Sequence, residues 1–246
     1  RRRQDDVGLG RSPRCVTLRL GTWNCRMALR RKRDAIEELQ CSVLVIQECA
    51  EADLAPYDEY RFKGPAQKGL AVITFDGWSI ADSPDDPRLP GMIFVRILNP
   101  SGEHVADFGG VWALTGTERK YHEQFAQVLD FVRARTSVLP LVIAGDLNAS
   151  AQGPSVLPHA VNVRSAAALG LVSVFHHVDR VEHGSESAMT LRWMGPGGVE
   201  RRYHCDFVFA SEQLCNEATR VEVGDWGEWI ESGRSDHVPV VAEFEV

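Results

Sequence analysis

Short apolar runs rich in β-branched residues, each closed by a polar group, constrain this chain more than any other feature. Leu139-Pro140-Leu141-Val142-Ile143-Ala144 is introduced by proline and suits a buried strand ending at Gly145, with Asp146-Leu147-Asn148 behind it. Val16 to Trp23 alternates apolar and polar residues, as a strand with one buried face does, and gives way to Asn24. Val43-Leu44-Val45-Ile46 is a third run and stops at Gln47-Glu48. A glycine at the exit permits a sharp turn, so Asp146 and Asn148 emerge together at a strand end, where α/β enzymes keep their chemistry. Asp and Asn also make plain turns, so Gly145-Asp146-Leu147-Asn148 alone fits either role.

Gly69 to Phe75, Met92 to Leu98 and His104 to Leu114 read as further strands, the last interrupted by Gly109-Gly110, with a Pro- and Asp-rich loop over Asp82 to Pro90. Leu29, Ile36 and Leu39 recur at helical spacing and predict one amphipathic helix over Ala28 to Gln40. Tyr121, Phe125, Val128, Leu129 and Val132 mark one face of a long helix beginning near Glu118. Ser155 to Leu169 is helical, weakened by Pro158, and Gly170 to Phe175 is a short strand followed by His176-His177. Gly184 to Val199 is a polar loop with an edge strand at Thr190 to Trp193, and Tyr203 to Ala210 is an apolar strand around a lone Asp206. Arg220 to Val223, a Trp-bearing loop, Arg234-Ser235-Asp236-His237 and a strand over Val238 to Val246 complete the chain. Residues 1–14 read as a mobile tail and 15–246 as a single domain without internal repeats. Strands outnumber helices, which predicts an α/β (α+β) architecture of two stacked sheets flanked by helices.

The net charge of -7 disfavours sequence-independent nucleic-acid binding by the whole surface, since such affinity rests on cations. Local patches at Arg30-Arg31-Lys32-Arg33, Arg119-Lys120 and Arg201-Arg202 remain. Six cysteines without a CxxC pair lie in or beside apolar runs, as buried free thiols do, and His204-Cys205-Asp206 is a poor chelate if it lies on a strand. No run approaches the roughly 20 apolar residues of a membrane span. The expectation is a cytoplasmic monomer.

Polar groups thus arrive at strand ends, or within a strand, in five places: Asn24; Glu48; Asp146 with Asn148; Asp206; and Asp236 with His237. A carboxylate inside an apolar strand, such as Asp206, is costly unless it is paired or binds a metal. Carboxylates, amides and one imidazole, with no nucleophilic Ser or Cys in a convincing elbow, suit hydrolysis by activated water. Mg²⁺ or Mn²⁺ takes oxygen ligands and keeps several waters, so few carboxylates suffice to hold it, and it draws charge from a phosphoryl oxygen.

The ordered series Thr22-Trp23-Asn24, Gln47-Glu48, Gly145-Asp146-Leu147-Asn148, Cys205-Asp206-Phe207-Val208-Phe209 and Ser235-Asp236-His237 resembles the endonuclease/exonuclease/phosphatase superfamily, over about residues 16 to 246. The resemblance implies a four-layer α/β/β/α sandwich of two mixed sheets and a divalent-metal-dependent phosphodiester hydrolase. Nucleic acid is the substrate it favours, and a small phosphoester or phospholipid head group is the alternative. It implies that Glu48 ligates Mg²⁺ (or Mn²⁺) with Asn24 and Asp236 close by. By the same resemblance Asp146 activates water, Asn148 binds the phosphate, and His237, oriented by Asp206, contacts the phosphate too. Thr190 matches a threonine found ahead of the Asp206 strand in many members. The sequence departs where many members carry a phosphate-reaching His or Tyr, because that stretch here is Val111-Trp112-Ala113-Leu114-Thr115, leaving Tyr121 or His122 as substitutes. Arg26 stands where some nucleases have an acidic ligand. This departure motivates a further alternative, a phosphate-binding scaffold of weak activity, which ranks below the two hydrolase readings because the remaining carboxylates are in place.

Overall fold

The computed structural model describes residues 16–83, 86–135, 140–153 and 156–246; the expected tail, Cys15, Leu139 and Ser155 lie outside the described residues. Two six-stranded mixed sheets stack face to face. The first contains β1 (Thr17–Asn24), β2 (Val43–Cys49), β3 (Tyr60–Lys63), β4 (Gly69–Thr74), β13 (Ala218–Val223) and β14 (Val240–Glu245), in the order β13-β14-β1-β2-β4-β3. The second contains β5 (Ser79–Asp82), β6 (Met92–Leu98), β7 (His104–Trp112), β8 (Leu141–Asp146), β9 (Leu171–Ser173) and β12 (Asp206–Ser211), in the order β5-β6-β7-β8-β12-β9. A separate hairpin pairs β10 (Leu191–Met194) with β11 (Glu200–Tyr203).

Central strands are covered on both sides, which is why they read as unbroken apolar runs. Val43 and Val45 of β2 face the inter-sheet core with Leu18, Leu20, Phe108 and Val208, while Leu44 and Ile46 face outward. There they meet Ala35 and Ile36 of α1 (Arg33–Glu38). On the far side, Phe125, Val128, Leu129 and Val132 of α2 (Tyr121–Arg133) pack on Ile143, Phe207 and Phe209, beside α3 (Val156–Ala167). Truncating a side chain such as Leu129 to alanine costs roughly 2–5 kcal/mol at a site of this kind. The layers are therefore helix, sheet, sheet, helix, as the sequence predicts.

Four expectations change. The single helix over Ala28 to Gln40 is a 3₁₀ turn at Leu29–Arg31 followed by α1, because Arg26, Met27 and Ala28 all take positive φ and delay helix entry. Gly109-Gly110 does not interrupt β7. A Cβ on Gly110 would stand 3.0 Å from Val72 and 3.2 Å from Val45 of the opposite sheet, so the glycine marks close sheet approach and not a break. The expected strand over Gly170 to Phe175 is β9, which stops at Ser173, so His176-His177 lies inside the helix that follows it, α4 (Val174–Asp179). The run over Tyr203 to Ala210 divides between β11 and β12, with His204 and Cys205 in neither. The short strands β3 and β5 and the helix α5 (Glu212–Asn216) carry too little periodic signal to be read from sequence.

Candidate active site

The carboxylate end of β8 collects the predicted residues because three strands deliver them to one edge. β8 is parallel to β7 and antiparallel to β12, and the register sets Asp146 beside Trp112 on one side and Asp206 on the other. The sharp exit requires Gly145 (φ 154): a Cβ there would stand 1.8 Å from the carbonyl oxygen of Val111. The neighbouring Asn148 is also held at positive φ (47), a conformation that Asn tolerates.

Asp146 is fully buried and saturated with donors. Its Oδ1 accepts the Asn148 backbone N–H at 2.9 Å; its Oδ2 accepts the side-chain amides of Asn24 at 3.1 Å and Asn148 at 3.0 Å. The Asn148 amide also donates to the Ala113 carbonyl at 3.0 Å, so both its hydrogens are engaged. Asn24 accepts the Arg26 N–H at 3.1 Å through Oδ1. Both amides therefore orient Asp146 directly.

His237 Nδ1 lies 2.8 Å from Asp206 Oδ2, and its Nε2 stands 3.9 Å from Asp146 Oδ2, too far for a hydrogen bond. Burial alone would lower the imidazole's pKa, but Asp206 and Asp146 together push it up to about 10. Burial raises Asp146 to about 7, with the facing His237 charge opposing that rise. The result is a charged imidazole whose Nε2–H points toward a carboxylate of near-neutral pKa without being consumed by it. Ser235 fixes the segment: its hydroxyl donates to the Asn24 carbonyl at 2.7 Å and accepts the His237 N–H at 3.2 Å. The Trp23 indole donates to the His237 carbonyl at 3.1 Å. The Thr190 hydroxyl accepts the N–H groups of Cys205 at 3.0 Å and Asp206 at 3.1 Å, so this threonine shapes the strand entry.

Glu48 and Asp236 stand at the rim, each facing a cation that sequence reasoning did not pair with it. Glu48 meets Lys68 Nζ at 2.9 Å, and Asp236 meets Arg26 Nε at 3.4 Å. Glu48 takes φ 60 at a bulge in β2, a strained conformation for a non-glycine residue. Its backbone carbonyl accepts the Met27 N–H at 3.0 Å, and Asn24 pairs with Gln47 across the sheet. Oxygen-only donors on a held strand end suit a hard divalent cation.

His204-Cys205-Asp206 departs from the expectation in one respect. Cys205 precedes β12, so its thiol lies beside Asp206 (3.7 Å), while His204 turns to the other side of the sheet. Asp146, Cys205, Asp206 and His237 bring ligand-type atoms within 4.8 Å of one another. Four such groups lie close enough to hold a metal ion, and where none is bound, burial raises the Cys205 thiol and the two carboxylates keep His237 charged, so the cluster stores protons. Cys25, Cys41, Cys49, Cys205 and Cys215 are all free and buried, as expected.

A cleft of about 730 Å³ opens beside Asn148. Lys120, Tyr121 and His122 line one side, and Trp193, Arg201 and Tyr203 of the hairpin line another. Trp112 occupies the strand position that lacks an imidazole, under the Lys68 ammonium at 5.5 Å. Tyr121 and His122 are the aromatic groups that the fold brings to the cleft instead. The Arg201-Arg202 patch was legible from sequence, but its union with Trp193 and Tyr203 on one cleft wall was not, because the β11 strand that brings them together carries no apolar signal. His176 is buried away from this cleft and His177 is exposed.

No protein-family model matches the sequence, and no curated protein matches it. Solved structures do. An AP endonuclease from Archaeoglobus fulgidus superposes with a TM-score of 0.67 at 19% identity, covering 93% of this chain and 100% of the other. A 3'-5' exonuclease (NExo) from Neisseria meningitidis gives 0.69 at 21%, over 93% and 100%. A truncated Caenorhabditis elegans TDP2 gives 0.65 at 15%, over 94% and 98%. The chain has the fold of these proteins, the α/β/β/α sandwich of endonucleases, exonucleases and phosphatases. Among the described residues no helix is long and apolar enough to cross a membrane.

Proposed function

We propose that this chain is a divalent-metal-dependent phosphodiester hydrolase acting on nucleic acid. The observation that carries the reading is the Asp146–His237–Asp206 arrangement: a carboxylate with its pKa near 7 faces a charged imidazole across a gap of 3.9 Å, buried directly behind Asn148 and Cys205, which line the cleft. General-base efficiency is greatest when the pKa lies near the operating pH.

Glu48, Asn24 and Asp236 would together hold Mg²⁺ or Mn²⁺, with Lys68 and Arg26 yielding the carboxylates they now face. Such an ion, when bound, supplies positive charge to a phosphoryl oxygen and so favours attack on phosphorus. Asp146, steadied by Asn24 and Asn148, takes a proton from the attacking water. His237 donates its Nε2–H to a phosphate oxygen as negative charge grows there, and Asp206 keeps that proton in place. Asn148 lines the cleft and reaches the phosphate by releasing the Ala113 carbonyl. Trp193, Tyr121 and Arg201 offer stacking faces and a cation, which suit a nucleotide better than a simple phosphate. The AP endonuclease and the exonuclease among the similar structures have substrates of the same class.

The test is an assay of the chain and of Glu48→Gln and Asp146→Asn on DNA, RNA and a chromogenic phosphodiester, with metal removed and restored. Activity should require the metal, and each substitution should lower kcat by about 10²-fold or more. Full metal-dependent activity in both variants would overturn the assignment. Binding that weakens little with added salt would move the substrate to a small phosphoester, since nucleic-acid affinity falls steeply with salt.

A further inference from the structure

Behind β12, on the face opposite His237, lies a cluster of titratable groups that the proposed reaction does not use. His159 comes from α3, His176 from α4, His183 and Glu186 from the segment leading to β10, and His204 from the approach to β12. His159 and His204 pack on Phe207, with ring centroids 5.3 and 4.9 Å away. Phe207 belongs to the outer core with α2, whereas Asp206 meets His237 toward the opposite sheet.

His176 Nε2 stands 3.0 Å from Glu186 Oε1, and its Nδ1 stands 2.8 Å from the Ser173 hydroxyl. The second Glu186 oxygen accepts the Gln152 amide at 2.7 Å, and the Gly184 N–H reaches both oxygens at 2.9 Å. The His183 ring lies on the His176 ring, 3.5 Å between centroids and 15° apart. His176, His183 and Glu186 each bring a ligand atom within 4.8 Å of the others.

The remaining nitrogens are left over. His159 is fully buried, and neither ring nitrogen has a partner among the described residues. His204 is 1% exposed; its Nδ1 meets the Ala188 carbonyl at 2.7 Å, while Nε2 has no partner. His183 Nδ1 is likewise unpartnered. Buried polar atoms are nearly always satisfied, so several unpartnered imidazole nitrogens in one pocket need an account. A backbone carbonyl fixing one nitrogen of a ring while the other is free is the pattern of a metal-ligating histidine.

We propose that this cluster is a second metal centre, for Zn²⁺ or a similar transition ion, formed by His176, His183 and Glu186 and closed by His204 or His159. Imidazole donors with one carboxylate favour such an ion over Mg²⁺, which takes oxygen ligands. Its position gives it a structural task. The segment carrying His183 and Glu186 runs directly into Thr190, whose hydroxyl holds the N–H groups of Cys205 and Asp206, so an ion here clamps that segment against the sheet.

The experiment uses the full chain carrying Glu48→Gln, stripped with a chelator and titrated with Zn²⁺ and with Co²⁺. This background weakens the rim site proposed for Mg²⁺, so the two readings stand or fall separately. The expected result is uptake of one equivalent of Zn²⁺, a rise in melting temperature, and a Co²⁺ absorption spectrum of tetrahedral intensity that excess Mg²⁺ does not displace. His183→Ala and Glu186→Gln should each weaken Zn²⁺ by about 100-fold or more, given that loss of mere supporting groups costs about 10–100-fold. Uptake below one equivalent, or affinity unchanged in both variants, would overturn the proposal. Should neither variant fold, the Co²⁺ spectrum of the Glu48→Gln chain decides, and a weak octahedral spectrum counts against it.

Discussion

Burial would by itself strip His237 of its proton, and the carboxylates of Asp206 and Asp146 reverse this, holding the pKa up to about 10 against an ordinary 6.5. A raised histidine pKa stabilises the fold fully below 6.5, and that contribution is lost as pH rises through about 10. Asp146, raised to about 7 from 3.8, favours the folded state below 3.8 and gives up that contribution as pH rises through about 7. Near neutrality the imidazole supports folding while the ionising aspartate opposes it, a strain located where the chemistry is. The proposed roles need ionised Asp146 and charged His237, so kcat/KM should rise with a midpoint near 7 and fall with one near 10. These midpoints belong to the pair as a whole. In Asp206→Asn the alkaline limb should move down by more than one pH unit, on the order of the shift that removing one nearby opposite charge produces, with kcat lower by about 10²-fold. A pH–rate profile with both limbs unmoved would count against the assigned roles. Asp146, Asp206 and His237 were legible from sequence because each ends, interrupts or immediately precedes an apolar run. Lys68 and Arg26 were not, because they enter from loops whose course no periodicity reveals.

At the scale of elements, long apolar runs were read correctly, since a strand buried on both faces leaves an unbroken signature, as β2 and β8 show. The failures share a cause: a local backbone choice invisible in residue pattern. Left-handed residues at 26–28 shorten the first helix, and the turn at His204-Cys205 divides what looked like one strand. The β10–β11 hairpin was half legible, because its second strand, Glu200-Arg201-Arg202-Tyr203, is polar and mostly exposed. Its surface nevertheless suits recognition. Trp193 and Met194 are 41% and 56% exposed, Arg201 lies 5.8 Å from the Trp193 ring, and Arg202 lies 4.4 Å from that of Trp226. Trp193→Ala should weaken binding of single-stranded DNA by about 1–3 kcal/mol with the salt dependence unchanged, as loss of one stacking face does. Arg201→Ala should weaken all sequences alike and reduce the salt slope by about 1, as loss of one phosphate contact does. Fluorescence anisotropy across a salt series separates the two effects, and identical slopes for both variants would argue that Arg201 does not touch phosphate.

Over the whole molecule, the net charge of -7 gave no hint of this local basic and aromatic surface, because a sum over the chain cannot show where cations gather. The layered architecture was legible, since strands outnumbering helices and covered on both faces leave few arrangements. The strand order was harder to foresee, being set by pairings between distant segments. β14 lies between β13 and β1, so Thr17 meets Glu245 and the Thr17 hydroxyl donates across 228 positions of sequence. Trp23, at the end of β1, packs edge-on against Trp229 with centroids 5.0 Å apart. That seam carries Asn24 on one strand and delivers Asp236 and His237 just ahead of the other. In kinetic terms, the longest chain closure and the completion of the site are one event. Non-local pairing is slow to form. After dilution from denaturant, far-ultraviolet dichroism should recover first. The near-ultraviolet signal of the Trp23 and Trp229 pair should return later, together with hydrolysis. Activity that returns before that signal would separate the two. If they return together, the pairing of β1 with β14 is also the step that completes the proposed site, and a chain that has not closed that seam has no site to work with.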